Sequence, residues 1–342
     1  MNMEFEKKLA IPMEVKEQLP LSRDNEKTVA SRKEELCRLL AGEDNRLLLV
    51  IGPCSADRED SVLDYVTRLA RLQEEVKERL LLVPRVYTSK PRSTSDGYKG
   101  MLHRPEPTEK PDLFHGILAS RRLHLRVLSE TGFAPADELL YPENAKYFDD
   151  LLGYVTVGAR SVENQQHRLT ASGLDCPVGM KNPTGGNLTA MLNAVAAAQH
   201  RHTFLYRGWQ AHSMGNPFAH AVLRGYTDLA GNTHPNYAPE ILRSLAEEYI
   251  SRHLSNPAVL VDTSHDNSGR NPFLQGEIAR IVCESRKKEP ALMSLVRGLM
   301  VESYLTDGAQ TPGGTTYGQS ITDPCLGWEK TERLVREIAE TA

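Results

Sequence analysis

Short, strongly apolar runs recur along the chain, each followed closely by a reactive polar residue and separated from the next by a longer amphipathic stretch. Cys54 follows LLLVIGP, Arg85 and Lys90 follow LLLVP, Glu138 follows FAPAD, and Arg160 follows VTVGA. Lys181 follows CPVGM, Arg224 follows AHAVL, His265 follows AVLVDTS, and Glu302 follows GLMV. Runs of this kind read as parallel strands buried on both faces. If such strands close into a barrel, all their carboxyl ends open onto one rim, where active sites of that architecture are built. Residues from Cys54 to Glu302 would then meet at one pocket, which makes the chain an enzyme candidate before any motif is considered.

The pattern predicts strands near 47–51, 80–87, 133–140, 154–158, 176–181, 203–206, 220–224, 258–262 and 296–301, one more than eight. We read 203–206 and 220–224 as one barrel strand plus an inserted hairpin arm. The right-handed crossover rule favours a single closed parallel sheet. The fold class is therefore α/β, a (β/α)8 TIM barrel over residues 46–342, with an inserted β-hairpin and an N-terminal extension over residues 1–45. Pro12 and Pro20 interrupt the extension, and Ser31 with Glu34 reads as a capping box opening a short helix through Leu36, Leu39 and Leu40. Such an extension packs on the barrel floor or on a neighbouring subunit, for oligomerisation or regulation; the alternative is a partly ordered tail. Asp57 reads as the cap of a helix carrying Val62, Val66 and Leu69 on one face. Segments 88–112 and 306–324 read as long loops on the active rim.

A formal net charge of −4 gives no reason to expect nucleic acid or a membrane surface as partner. Locally, Arg85, Lys90, Arg92, Lys99 and Arg104 form a basic stretch suited to an anionic ligand. Five cysteines without paired metal spacing argue against a disulfide framework and for a reducing compartment. The N-terminus lacks the apolar core of a secretory signal, and no apolar stretch is long enough to span a bilayer, so a cytoplasmic protein is expected.

Cys54, His265, Glu302 and Asp323 have metal-ligand chemistry at the ends of different elements. A thiolate, an imidazole and two carboxylates suit one divalent first-row ion (Mn, Fe, Co or Zn). Taken singly, each is more often a packing residue. Arg85, Lys90, Arg92, Arg160, Lys181 and Arg224 form a second, cationic set, each ending or closely following a strand. Six positive groups facing one cavity repel unless anions neutralise them, and phosphate or carboxylate are natural partners. The alternative is that some pair with Glu138, Asp262 or Glu163.

These residues lie in motifs that resemble those of the class I 3-deoxy-D-arabino-heptulosonate 7-phosphate (DAHP) synthases. The motifs are IGPCS (51–55), RVYTSKPRST (85–94), GYKG (97–100), VGARSVENQQHR (157–168), SGLDCPVGMKN (172–182), LRG (223–225), DTSHDNSG (262–269), VESYL (301–305) and SITDPC (320–325). The resemblance implies that Cys54, His265, Glu302 and Asp323 are the four metal ligands. It implies that Arg85, Lys90, Arg160, Lys181 and Arg224 grip phosphoenolpyruvate, with Glu138 lining that site. Lys90, Pro91, Arg92, Ser93 and Thr94 match the loop that receives erythrose 4-phosphate. The implied reaction is a metal-dependent, aldol-like condensation of these two substrates with water in the shikimate pathway of aromatic amino acid and chorismate biosynthesis.

The resemblance implies that an ion held by those four ligands would supply Lewis-acid polarisation of the aldehyde oxygen. Lys90 is assigned proton delivery to the nascent alkoxide, with His265 or water as alternatives. Lys90, His265 and Cys54 are the catalytic candidates. The resemblance further implies a homodimer or homotetramer and an aromatic amino acid effector. Two departures bear on control: the segment between Phe204 and Arg224 is short, and the acidic motif reads ADELLYP in place of a GEFLD form. The runner-up activity is the sister synthase of 3-deoxy-D-manno-octulosonate 8-phosphate, which takes arabinose 5-phosphate and typically reads Lys-Ala-Asn-Arg where this chain has Lys90-Pro91-Arg92-Ser93. A non-catalytic anion-binding paralogue is the alternative from another class. Cys325 lies two residues after Asp323, so its thiol and that of Cys54 are candidates for oxidative pairing, whereas Cys37, Cys176 and Cys283 read as packing residues.

Overall fold

The computed structural model describes residues 2–94 and 96–342. Eight parallel strands form the central sheet: β1 (Leu47–Gly52), β2 (Leu80–Pro84), β3 (Ala136–Glu138), β4 (Tyr154–Val157), β5 (Val178–Lys181), β6 (Ala219–Leu223), β7 (Val259–Asp262) and β8 (Val296–Glu302). Their order is β2-β1-β8-β7-β6-β5-β4-β3, so each strand lies beside its neighbours in sequence and the first pairs with the last. Between β2 and β3 the barrel closes through one bridge, Arg85 to Ala136. The predicted (β/α)8 barrel is the observed fold.

The strand residues alternate between two cores. Leu48, Val50, Leu81, Val83, Tyr154, Val222, Leu260 and Met300 fill the barrel interior. Leu47, Leu49, Ile51, Leu80, Leu82, Val155 and Val157 pack outward, in the larger core that includes the helices. Both faces are buried, which is why the strands read as unbroken apolar runs.

Two helices precede the barrel, α1 (Pro12–Gln18) and α2 (Arg23–Ala41). Leu36, Leu39 and Leu40 of α2 join the interior cluster and plug the barrel floor. The Ser31–Glu34 capping box is not formed, because α2 begins nine residues earlier, where the Ser22 side chain accepts the Asn25 N–H, and Ser31 and Glu34 lie mid-helix. Pro12 opens α1 at its first turn, where its missing N–H costs nothing. Arg121, fully buried, ties the extension to the barrel by donating to the Leu19 and Tyr147 carbonyls and pairing bidentately with Asp150.

The remaining helices are α3 (Glu59–Val76), α4 (Leu113–Thr131), α5 (Ala145–Phe148), α6 (Gln165–Ala171), α7 (Leu188–Gln199), α8 (Pro239–Ser251), α9 (Gln275–Lys288), α10 (Pro290–Leu295) and α11 (Trp328–Thr341). Asp57 does not cap α3: Arg58 holds the cap position without a side-chain bond, and Asp57 is buried, accepting from the Tyr304 hydroxyl at 3.0 Å. The surplus predicted strand is resolved as expected. His202–Tyr206 pairs antiparallel with Trp209–Ser213 in a hairpin outside the barrel, turning at Arg207 and Gly208, both with positive φ, and β6 follows it. The described residues of segment 88–112 form no helix or strand, while 306–324 carries a small two-stranded element, Thr306–Ala309 with Gln319–Ser320. Among the described residues no helix is long and apolar enough to cross a membrane.

Candidate active site

The carboxyl ends of β1 and β8 lie side by side, Gly52 opposite Glu302, and the chain leaves β1 to place Cys54 next to them. Cys54 Sγ, a Glu302 oxygen and an Asp323 oxygen all lie within 4.8 Å of one another. His265 is not part of that tight group, but its Nε2 stands 3.6 Å from Glu302 Oε1. Its Nδ1 is held by Asp262 at 2.9 Å and Ser264 Oγ at 2.8 Å. With Nδ1 committed to that carboxylate, the free lone pair belongs to Nε2, on the side of the other donors. The backbone of His265 is left-handed, φ 53°, a conformation costing about 1–2 kcal/mol for a non-glycine residue and concentrated at functional sites.

These donors fit a divalent ion: one sulfur, one nitrogen and carboxylate oxygens, with supporting contacts behind them. Arg85 Nη2 donates to Glu302 Oε1 at 3.0 Å, and Glu302 is fixed at its backbone N–H by Gln275. Lys90 reaches into the group, its Nζ 2.6 Å from Cys54 Sγ and 3.0 Å from Asp323 Oδ2. Burial opposes its charge, yet Cys54, Asp323 and Glu302 together outweigh burial and hold the ammonium above its ordinary range. The same contact, chiefly the Lys90 charge, holds Asp323 well below the usual carboxylate range. Burial, with the nearby Glu302 charge, pushes the Cys54 thiol up to about 12, and Lys90 pulls it partly back.

Five of the cations, Arg85, Lys90, Arg160, Lys181 and Arg224, lie close enough to Glu138 or to one another to shift their titration. Burial raises the Glu138 carboxyl, and the charges pulling it back are Lys181, Lys90, Arg85 and Arg160. A Cβ placed on Gly158 would overlap Glu138 Oε1, so only glycine leaves room for that carboxylate. Arg85 is buried with its guanidinium 4.2 Å from the Tyr87 ring, and its Nε and Nη1 have no partner. Unsatisfied buried donors on a cation are costly unless an anion completes them.

Pairing among the cations is only partial. Lys181 does bond Asp262, at 2.8 Å, and Arg224 pairs with Asp266, an acid that the sequence reasoning passed over. Among the described residues, neither Glu138 nor Glu163 forms an ion pair with any of these cations. Asp262 lies well below the usual carboxylate range: burial opposes its charge, and His265 and Lys181 overcome that. Arg160, exposed on the rim, donates from Nε to Ser93 Oγ at 2.8 Å, and Arg92 Nε donates to the Tyr98 carbonyl. Pro91 is half-buried, and Ser93 and Thr94 are exposed. Arg270, also missed, lines a small cavity with Ser264, His265, Glu302 and Asp323. The signal for both omissions was present in DTSHDNSGR, where polar groups continue after β7 with no apolar spacing.

Cys325 Sγ accepts from the Cys54 N–H at 3.4 Å, so the two thiols are neighbours. All five cysteines are free; Cys176 and Cys283 are buried and Cys37 half-buried.

The sequence profile of the DAHP synthetase I family matches residues 18–336. The chain is 35% identical to the Trp-sensitive phospho-2-dehydro-3-deoxyheptonate aldolase of Escherichia coli K12, over 97% of this chain and 94% of that one. It is 36% identical to the phospho-2-dehydro-3-deoxyheptonate aldolase of Haemophilus influenzae, over 96% and 90%. A solved phospho-2-dehydro-3-deoxyheptonate aldolase from Francisella tularensis superposes with a TM-score of 0.92 at 30% identity, covering 99% of this chain and 98% of that one. With matching motifs, barrel and length, this chain belongs to the DAHP synthetase I family, the class I DAHP synthases.

Proposed function

We propose that the residues gathered at this rim carry the reaction of the family, the condensation of phosphoenolpyruvate with erythrose 4-phosphate and water to DAHP and phosphate. The observation that supports this most directly is the donor group Cys54, Glu302 and Asp323, within 4.8 Å, joined by Lys90 and bordered by His265. Family members are generally metal-dependent. A divalent ion held by Cys54, His265, Glu302 and Asp323 would supply Lewis-acid polarisation of the aldehyde oxygen; which of Mn, Fe, Co or Zn serves is decided by availability as much as by donors.

Arg85, Lys90, Arg160, Lys181 and Arg224 hold phosphoenolpyruvate, their unspent donors completed by its phosphate and carboxylate. Glu138 borders the same site, and Pro91, Arg92, Ser93 and Thr94 receive erythrose 4-phosphate. Holding both substrates brings C3 of the first against the aldehyde carbon of the second. The new C–C bond forms there, water adds at C2, and phosphate leaves by C–O cleavage. Lys90 delivers the proton that the aldehyde oxygen takes up, since its ammonium faces the donor group.

Residues 1–45 act in oligomerisation and regulation, and the chain works as a cytoplasmic homodimer or homotetramer. The exposed side chains of Met3, Phe5 and Met13, with Leu205 and Trp209 on the hairpin, support this reading. Relatives named Trp-, Phe- and Tyr-sensitive support an aromatic amino acid as effector. Purified protein with both substrates and a divalent ion should consume phosphoenolpyruvate, followed by its absorbance, and release one phosphate per product. Arabinose 5-phosphate in place of erythrose 4-phosphate should leave the signal flat. Turnover of arabinose 5-phosphate alone would select the sister synthase, and no turnover of either would select the non-catalytic reading.

A further inference from the structure

The barrel has one weak seam. Among the described residues, seven of its eight strand junctions are ladders, while β2 and β3 meet only at the Arg85–Ala136 bridge, where the Val86 N–H donates to the Ala136 carbonyl. Directly above that bridge, the side chain of Asp137 takes over from the backbone. Its Oδ1 accepts the Thr88 N–H at 2.8 Å and its own neighbour's N–H, that of Glu138, at 2.7 Å. Its Oδ2 accepts the Thr88 hydroxyl at 2.6 Å. His124 of α4 lies behind it, Nε2 3.4 Å from Oδ2, in a fully buried setting. Asp137 is itself 4% exposed, and on β3 it alternates with Ala136, which joins the barrel-interior cluster, so its side chain falls on the opposite face of the strand.

A buried carboxylate is retained only where hydrogen bonds compensate its lost hydration. Here all three partners belong to the two chain segments that reach the active rim. Thr88 is otherwise held through its carbonyl, which accepts the Leu102 N–H at 3.0 Å, and two residues on, the Lys90 N–H bonds the Lys99 carbonyl. The stretch from Thr88 to Lys90 is thus anchored at its start by Asp137 and at its end by the returning loop. We propose that Asp137 is a positioning residue: its carboxylate clasps the β2–β3 seam through Thr88 and so sets where the Lys90 ammonium stands relative to Cys54 and Asp323. The same clasp fixes the backbone of Glu138.

The proposal rests on the reading that Lys90 serves the reaction. A misplacement of about 1 Å in a reacting group can cost roughly 10²-fold in rate. For Asp137→Ala we expect kcat at 25 °C to fall by about 10- to 100-fold, with bound metal nearly unchanged and a smaller rise in KM for phosphoenolpyruvate, because Lys90 and Glu138 border that substrate while Arg160, Lys181 and Arg224 hold it from the ends of other strands. Asp137→Asn, which keeps acceptors for both N–H groups, should recover most of the loss. If Asp137→Ala does not fold, Thr88→Val removes the hydroxyl arm of the clasp alone and should show the same loss, chiefly in kcat. Unchanged kcat in the folded variants, whatever their melting temperature, overturns the proposal. So does a loss that falls on KM for phosphoenolpyruvate alone, or an Asn variant as impaired as Ala. Lys90→Ala measured alongside separates the two readings. Loss there but not in the clasp variants overturns the clasp alone, and normal turnover there overturns the role of Lys90 and the clasp with it.

Discussion

Replacing Lys90 by alanine removes a cation that bonds two members of the donor group. Its Nζ lies 2.6 Å from Cys54 Sγ and 3.0 Å from Asp323 Oδ2, and it is the largest influence holding Asp323 ionised. Two effects follow. Loss of a positioned general acid costs about 10²–10⁴-fold in rate, or roughly 2.7–5.4 kcal/mol at 1.36 kcal/mol per decade. The donors themselves stay in place, since Arg85 and Gln275 hold Glu302, and Asp262 and Ser264 hold His265. Metal stoichiometry, read by elemental analysis of the purified variant, should therefore match that of the parent while steady-state turnover falls by two to four decades. A variant that turns over normally would refute the assignment of the proton to Lys90. A variant that loses metal and activity together would show that Lys90 organises the donors and that its role in proton delivery was inferred wrongly.

Four further outcomes are expected. Gly158→Ala places a Cβ on Glu138 Oε1 and must displace that carboxylate, so KM for phosphoenolpyruvate should rise severalfold in steady-state kinetics with the fold intact by circular dichroism. Stripping the metal with a chelator should abolish activity reversibly, restored by divalent ions in a titration followed by phosphate release. In the stripped protein a mild oxidant should join Cys54 to Cys325, whose Sγ already meets the Cys54 N–H at 3.4 Å, provided their α-carbons approach within about 7 Å; Cys325→Ser should resist that inactivation. Arg121→Met breaks a buried pair with Asp150 and two carbonyl contacts, which should cost about 3 kcal/mol in urea unfolding, near the low end for buried pairs because Asp150 is partly exposed. Burial opposes the Asp150 charge and Arg121 more than offsets it, so its folded pKa is depressed. That stability is present above about pH 4, the unfolded value, and is lost as pH falls through the folded one. The gap between parent and variant should narrow in acid.

The barrel was legible because strands buried on both faces leave no polar alternation, so Leu47–Gly52 and Val296–Glu302 announce themselves as apolar runs. The site was legible because each charged residue follows such a run, and burial there is tolerated only for a purpose. Local cap signals misled. Ser31 and Glu34 have the spacing of a capping box, yet Ser22 had already opened the helix, and helix continuity outweighs a motif that the chain never reaches as a terminus. Asp57 precedes α3 as a cap would, but the Tyr304 hydroxyl, 247 residues away, takes its carboxylate. Such long-range partners leave no trace in spacing. The same holds for Asp137, whose neighbour Thr88 lies across the seam, and for Asp266, whose partner Arg224 ends another strand.

The central claim is most directly tested by anomalous diffraction from crystals grown with a manganese salt and phosphoenolpyruvate. A single strong peak is expected, ligated by Cys54 Sγ, His265 Nε2, Glu302 and Asp323, with the substrate phosphate against Arg160, Lys181 and Arg224. A peak bound elsewhere, or one that excludes Cys54 and His265, would contradict it.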